Sequence, residues 1–154
     1  MTKFSEQTVK YLNQAGWAPG AVVDAASFSK VLLDAGFAPN VTALRFLQEF
    51  GGLHIEYPHK RVPGMMDNMH FNSSEVVRDI LPSTVAAYGA IVGGALCPIG
   101  EAARGYYILM MDETGAVYGA YGDFLVKVGD SGIEAIEALC SGKELQQIPV
   151  PDNW

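Results

Sequence analysis

The chain has 154 residues and a formal net charge of −7, which is enough length for one domain that buries roughly 70% of its unfolded surface. All of the excess charge lies in the second half, because acids and bases balance over residues 1–78, whereas residues 79–154 hold ten acids against three bases. Such a field repels nucleic acid and attracts basic protein surfaces, although solubility alone also explains it. Cys97 and Cys140 match no metal spacing and predict no disulfide framework, which favours a reducing cytoplasm.

Two patterns bear on export and membranes. The first residues include Lys3 and Glu6, where a secretory signal would need an apolar run, so we expect a cytoplasmic protein. Residues 80–100 hold no charged side chain, but glycines and prolines interrupt the run of about 20 apolar residues that a bilayer span needs. We therefore predict no membrane span, and instead a buried helix over residues 83–92 with a short strand near residues 96–99.

Three capped helices are predicted in the N-terminal third. Ser5 precedes an amphipathic segment that ends at Gly16, and Asp24 precedes a second segment that ends in the same way at residue 36. Asn40 precedes a third, which ends at the double glycine of residues 51–52. Side-chain oxygens of these types accept the free N–H groups of a first helical turn, and glycine adopts the left-handed conformation that ends a helix.

The middle of the chain changes to strand patterning. Apolar and polar residues alternate over residues 53–57, which predicts a half-buried strand. Residues 58–72 are predicted as a loop, and a short helix follows from Ser74. The clearest hairpin comes later, where the turn at residues 112–115 joins strands at 105–111 and 116–121.

A third strand at residues 124–128 completes an antiparallel meander, and Ser131 caps a last helix that ends near Gly142. Helices, then strands, then a helix predict an α+β fold, with N-terminal helices packed on an antiparallel β-meander and a C-terminal helix. We expect residues 1–142 to form a single domain and residues 143–154 to form a C-terminal tail.

Catalytic and metal-binding patterns are weak. His54, His59 and His70 have no zinc-like spacing, but with Asp67 they leave a small metal-dependent enzyme open as an alternative. Asp112 and Glu113 are adjacent on a predicted turn, where the two carboxylates point in different directions and stay hydrated, which does not suit general acid–base catalysis. The sequence holds no nucleophile elbow, phosphate-binding loop or dinucleotide motif. We therefore predict neither catalysis nor a cofactor.

Tyrosines are concentrated on the predicted hairpin and its flanks. Since successive residues of a strand point to opposite faces, these tyrosines cannot all be core residues. Tyrosine is favoured at protein interfaces because it buries a large area at a low entropic cost. Aromatic strands packed under helices are the alternative explanation. The tyrosines are Tyr106, Tyr107, Tyr118 and Tyr121.

The order of several short motifs resembles the third subgroup of the SUKH superfamily of bacterial immunity proteins. These motifs are AGWAPG at residues 15–20, FLQEFGGL at 46–53, LCPIG at 96–100, DETGAVY at 112–118 and GIEAIEAL at 132–139. The resemblance covers roughly residues 5–142. It implies a SUKH-like fold and a cytoplasmic protein that binds and blocks a cognate bacterial toxin, with no catalytic residues to transfer. Ala21 replaces an arginine that is usual in that family.

The resulting hypothesis is an immunity protein whose acidic sheet occludes a toxin domain with a basic surface, and a nuclease is the toxin class that we expect. A regulatory or scaffolding module of the same fold, without a toxin, is the first alternative. The apolar helix over residues 83–92 leaves a homodimer face open. Neither nucleic acid nor a membrane is expected as a partner. The candidate toxin-binding residues are Glu101, Tyr106, Asp112, Glu113, Tyr118, Tyr121 and Asp123.

Overall fold

The computed structural model describes residues 4–154, and its first third contains the three predicted helices. In the α1 helix (Glu6–Gln14), the Ser5 hydroxyl accepts the Thr8 N–H at 3.2 Å. In α3 (Val41–Phe50), the Asn40 side chain accepts the Ala43 N–H at 2.7 Å. Both predicted caps are therefore confirmed, since each satisfies an N–H that has no partner within its helix.

The second helix, α2 (Ala26–Asp34), begins one residue later than a cap at Asp24 would place it. Its N-cap position is Ala25, but the Asp24 carboxylate still accepts the Ala26 N–H at 2.9 Å. Gly16 ends the first helix with a φ of 103°, and Trp17 then donates its N–H to the Leu12 carbonyl at 3.0 Å. Trp17 is only 4% exposed, so the glycine turn directs this aromatic side chain into the core.

Three further helices follow: α4 (Ser73–Val76), α5 (Pro82–Val92) and α6 (Gly132–Ser141). The predicted short helix begins at Ser73, one residue before Ser74, and Asn72 caps it by accepting the Glu75 N–H at 3.3 Å. Ser131 caps α6 as predicted, by accepting the Glu134 N–H at 3.1 Å. Within residues 4–154, no helix combines the length and the apolar character that crossing a bilayer requires.

In the part of the chain that the structure describes, an antiparallel sheet of seven strands forms the centre, and each strand pairs with the next one in sequence. The α+β class and the meander are therefore confirmed, and the sheet extends beyond the strands predicted from the sequence. The strands are β1 (His54–Pro58), β2 (Met66–His70), β3 (Cys97–Ala102), β4 (Tyr107–Met111), β5 (Val117–Tyr121), β6 (Phe124–Gly129) and β7 (Gln146–Ile148).

The prediction of a loop over residues 58–72 is wrong for its second half. β2 pairs with β1 in a register that places His70 opposite His54 and Met66 opposite Pro58. Met69 is 1% exposed, whereas Met66 is 50% exposed. The methionines therefore divide between core and surface. The irregular parts of this segment are the turn between the two strands and the two residues that precede α4.

Residues 143–154 also contribute to the sheet. β7 pairs with β6 from Leu125 to Lys127, and the Trp154 ring lies 4.8 Å from the Tyr88 ring. The division at residue 142 stays a prediction, but part of the segment after it extends the sheet by one edge strand.

Helices cover both faces of the sheet. Tyr57 of β1 points to the face of α1, where its ring lies 6.4 Å from that of Tyr11. On the other face, Glu101, Ile108 and Ala120 form a row across β3, β4 and β5. This second face is covered by α4 and α5, and it contains the groups described next.

Candidate functional site

The seven candidate binding residues lie in three separate places. Tyr106 lies in the β3–β4 loop, Tyr121 is the last residue of β5, and Asp123 lies in the turn that leads to β6, so all three are at one end of the sheet. Asp112 and Glu113 lie in the β4–β5 turn at the opposite end. Tyr118 of β5 lies beside this turn. The third place holds Glu101, which is buried in β3 at 4% exposure. The structure thus does not gather all seven on one acidic face.

The loop that presents Tyr106 is held by Asn68 of β2. Ala103 and Arg104 adopt the left-handed conformation, with φ values of 53° and 60°. Their N–H groups donate to the backbone carbonyl of Asn68 at 3.0 Å and to its side-chain oxygen at 3.1 Å, respectively. These bonds compensate a conformation that is costly for residues with a Cβ atom. Tyr106 therefore projects from a fixed loop.

Tyr106 and Tyr121 meet edge to face, with ring centroids 5.6 Å apart. They are 63% and 59% exposed, and Leu81 and Trp154 beside them are 66% and 40% exposed. All four side chains line one open groove that is floored by Ile108 and Ala120. We call the surface of Leu81, Tyr106, Tyr121 and Trp154 the tyrosine groove.

The wall of this groove is fixed by Tyr88 of α5. Its hydroxyl donates a hydrogen bond to the Gly122 carbonyl in the β5–β6 turn. Burial and the nearby Asp123 carboxylate raise the pKa of Tyr88, so this hydroxyl keeps its proton and its role as donor. The bond joins the helix to the turn that directly follows Tyr121 and contains Asp123.

Sequence reasoning selected the tyrosines of this groove but missed Leu81 as part of it. Leu81 stands directly before Pro82, the first residue of α5. An apolar residue at the N-cap of a proline-initiated helix gains no capping hydrogen bond. The sequence pattern of a leucine directly before a helix-initiating proline could therefore have marked Leu81 as a surface residue with no capping role.

At the opposite end of the sheet, the polar groups of the β4–β5 turn form hydrogen bonds within the turn and with α3. One oxygen of Asp112 accepts the N–H groups of Thr114 and Ala116 at 2.9 and 3.0 Å, and the Thr114 hydroxyl at 2.6 Å. Thr42 of α3 donates to the Glu113 carbonyl at 2.7 Å. This arrangement shapes the β4–β5 turn, and Tyr118 is only 9% exposed beside it.

A third place is a histidine–carboxylate cluster formed by His54, His70, Glu75 and Glu101. His54 Nε2 lies 2.8 Å from a Glu75 carboxylate oxygen, and His70 Nε2 lies 2.7 Å from Glu101 Oε1. Burial lowers the pKa of His70, while burial and the facing Asp79 carboxylate raise the pKa of Glu101 to about 8. Both effects favour neutral forms of the His70–Glu101 pair.

The metal site considered from the sequence comprised His54, His59, His70 and Asp67, and the structure brings only part of that set together. The histidine–carboxylate cluster includes His54 and His70 but neither His59 nor Asp67. His59 Nδ1 instead accepts the N–H groups of Arg61 and Val62 at 3.0 and 3.1 Å. Sequence reasoning missed Glu75. Its position in the first turn of the short helix that follows His70 could have indicated that it lies near the histidines.

These features define an α+β protein that is built on an antiparallel meander and carries an exposed aromatic surface at one end. The sequence model that defines the SUKH-3 immunity protein family matches residues 4–142 of this chain. The chain belongs to this family. No curated protein and no solved structure matches the chain. The family membership supports an immunity function, points to a non-catalytic role and implies binding of a cognate toxin.

Proposed function

We propose that this protein neutralises a cognate toxin domain by binding it and occluding its working surface, without catalysis. The observation that carries this proposal is the SUKH-3 family match over residues 4–142. Free, buried Cys97 and Cys140 are compatible with action in a reducing cytoplasm.

The tyrosine groove is the surface that we assign to the toxin. Exposed aromatic side chains in a cluster are typical of interfaces, where tyrosine and tryptophan act as anchors. Tyr106 is held by the Asn68 contacts and Tyr121 by the turn that Tyr88 fixes. A preorganised surface of this kind loses little conformational entropy when a partner binds.

The charges around the groove favour a basic partner. Asp79 and Arg78 both line it and offset each other, and Asp123 adds a negative charge in the turn beside Tyr121. Asp123 belongs to the half of the chain that carries all of the net charge of −7. Nucleases need cationic surfaces to bind the phosphate backbone, so a nuclease domain is the toxin class that this surface fits best. Complementary charge would also increase the rate of association.

The other end of the sheet supports toxin binding less well. The Asp112 carboxylate is already engaged by three donors of its own turn, and Tyr118 has little exposed surface. Glu101 is buried and bonded to His70. Among the seven candidates, we therefore retain Tyr106, Tyr121 and Asp123 as toxin contacts.

The test is binding to the toxin domain encoded beside this protein, measured by calorimetry with purified components. We expect Tyr106→Ala and Tyr121→Ala each to weaken binding by about 2 kcal/mol, or about 30-fold. Asp123→Lys should slow association and reduce its dependence on salt. Glu113→Lys is the matched control at the opposite end and should bind like the wild type.

Two results would contradict the assignment. Unchanged affinity in both tyrosine variants, with a loss in Glu113→Lys, would move the site to the β4–β5 turn. A stable homodimer that dissociates on Tyr121→Ala, in a protein with no affinity for the toxin, would identify the groove as a contact between two copies of this chain.

A further inference from the structure

A row of metal-ligand side chains crosses the edge of the sheet on the face covered by α4. His54 of β1 stands directly opposite His70 of β2, and His70 stands opposite Glu101 of β3. Directly paired residues of antiparallel strands project to the same face with their Cβ atoms close together. The helix α4 then places Glu75 over the two histidines, because its Asn72 cap follows His70 by only two residues.

The donor atoms of three of these residues converge. One ring nitrogen of each histidine and one Glu75 oxygen all lie within 4.8 Å of one another, and the two imidazole centroids are 5.3 Å apart. Coordination at about 2.0–2.2 Å requires ligand atoms separated by about 3–4 Å, so small side-chain movements bring this set to bonding distance. The His54 side chain is 58% exposed, which leaves a path for an ion from solvent.

The charges around the row also favour a cation. Glu75, Glu101 and Asp79 bring three carboxyl groups to this region, and Arg78 is the basic side chain that faces them. The Arg78 Nε atom is engaged by the Ser74 carbonyl at 3.1 Å. With Glu101 neutral, the carboxylates of Glu75 and Asp79 against one guanidinium still leave negative charge that a divalent ion would offset.

We propose that His54, His70 and Glu75 form a binding site for a divalent transition-metal ion, with Zn²⁺ as the best chemical match. Two imidazoles and a carboxylate are a donor set that suits Zn²⁺ and Co²⁺ and is poorly suited to Ca²⁺ or Mg²⁺. Glu101 orients His70 through its hydrogen bond, as carboxylates commonly do for metal-bound histidines. The site joins β1, β2 and α4, so its role is to stabilise this edge of the sheet.

The proposal includes a cost that limits the affinity. Both nitrogens of His70 already have partners, because Nδ1 accepts the Asn72 N–H at 3.0 Å and Nε2 faces Glu101. Since the Glu101 bond orients His70 in the proposed site, the metal ion must displace the Asn72 N–H from Nδ1. We therefore expect micromolar binding, weaker than in a closed structural zinc site.

The experiment titrates the full chain, freed of metal by a chelator, with Zn²⁺ in a calorimeter and with Co²⁺ in a spectrophotometer. We expect one saturable site, a visible Co²⁺ absorption and a higher melting temperature with Zn²⁺. His54→Ala and Glu75→Gln should each weaken binding about tenfold or more. The matched controls are His59→Ala and Glu56→Gln, which remove a histidine and an acid outside the set and should bind like the wild type.

Absence of saturable binding in the wild type would overturn the proposal. Unchanged affinity in both His54→Ala and Glu75→Gln would do the same, because the ion would then lie elsewhere. If a variant fails to fold, the wild type decides, since added Zn²⁺ must shift the imidazole NMR signals of His54 and His70 and leave those of His59 in place. None of these outcomes depends on toxin binding.

Discussion

Gly100 of β3 is the position where a single methyl group should damage this fold most clearly. A Cβ atom built there would overlap the His70 carbonyl oxygen and would lie 2.9 Å from the His70 carbonyl carbon and 3.0 Å from the Phe71 Cα. All three atoms belong to the backbone, so no side-chain rotation relieves the overlap. In Gly100→Ala, β2 and β3 must therefore separate locally.

The loss of stability is expected to be large because few residue pairs join β2 to β3. Their register contains only the pairs Met69–Ala102 and His70–Glu101. Overpacking costs about 1–3 kcal/mol, and each lost backbone hydrogen bond adds about 1 kcal/mol. We expect Gly100→Ala to lower the free energy of unfolding by about 3–5 kcal/mol, a large share of the total for a domain of this size.

The assay is urea denaturation followed by circular dichroism, with Gly119→Ala as the matched control. Gly119 lies in β5, and its added Cβ would meet side chains of Val128, Val126 and Tyr107 at ordinary distances of 3.4–3.7 Å. That variant should be within about 1 kcal/mol of the wild type. Equal stabilities for the two alanine variants would refute the reasoning, because backbone overlap would then have no measurable cost.

Three further predictions concern other parts of the chain. Glu137→Ala should lower the free energy of unfolding by about 1–2 kcal/mol, because this carboxylate accepts the Thr8 and Ser5 hydroxyls at 2.8 and 3.1 Å and joins α6 to α1; an unchanged urea midpoint would contradict this. Burial raises the pKa of Cys97 to about 11 and that of Cys140 to about 12. A thiol reagent at pH 8 should therefore label these cysteines only in denaturant, and rapid labelling of the folded protein would contradict this. Deleting residues 143–154 should lower the melting temperature and promote aggregation, because it exposes the edge of β6, and an unaltered melting curve would support a dispensable tail.

Local chemistry made the helices predictable from the sequence. Ser5, Asn40 and Ser131 each accept an N–H in the first turn of a helix, and Gly16 and Gly142 each follow a helix in the left-handed conformation. These features act over a few residues, so the sequence alone contains their cause. The β4–β5 hairpin was predictable for the same reason, since Asp112 and Gly115 shape its turn locally.

The missed strands and the composition of the site depend on longer-range contacts. β2 carries Asp67 and Asn68 in its centre, which weakens the apolar alternation that predicts a strand. β7 has only three residues at the edge of the sheet. The burial of Glu101 results from α4 packing on β3, and no spacing in the sequence encodes that contact.

The separation of the candidate binding residues has the same origin. Asp112 and Asp123 are eleven positions apart in the sequence, a distance that suggests one acidic surface. Because β5 runs the length of the sheet between their two turns, the residues lie at opposite ends. The position of a surface group in a meander is thus set by strand direction as well as by sequence proximity.

The most direct test of the central claim is the residual activity of the cognate toxin, measured while increasing amounts of this protein are added. Occlusion predicts a linear loss of activity that ends at one molecule of this protein per toxin, with full activity regained when the complex is dissociated and the toxin recovered. Inactivation of the toxin by far less than one equivalent, or permanent loss of activity after separation, would contradict a non-catalytic mechanism.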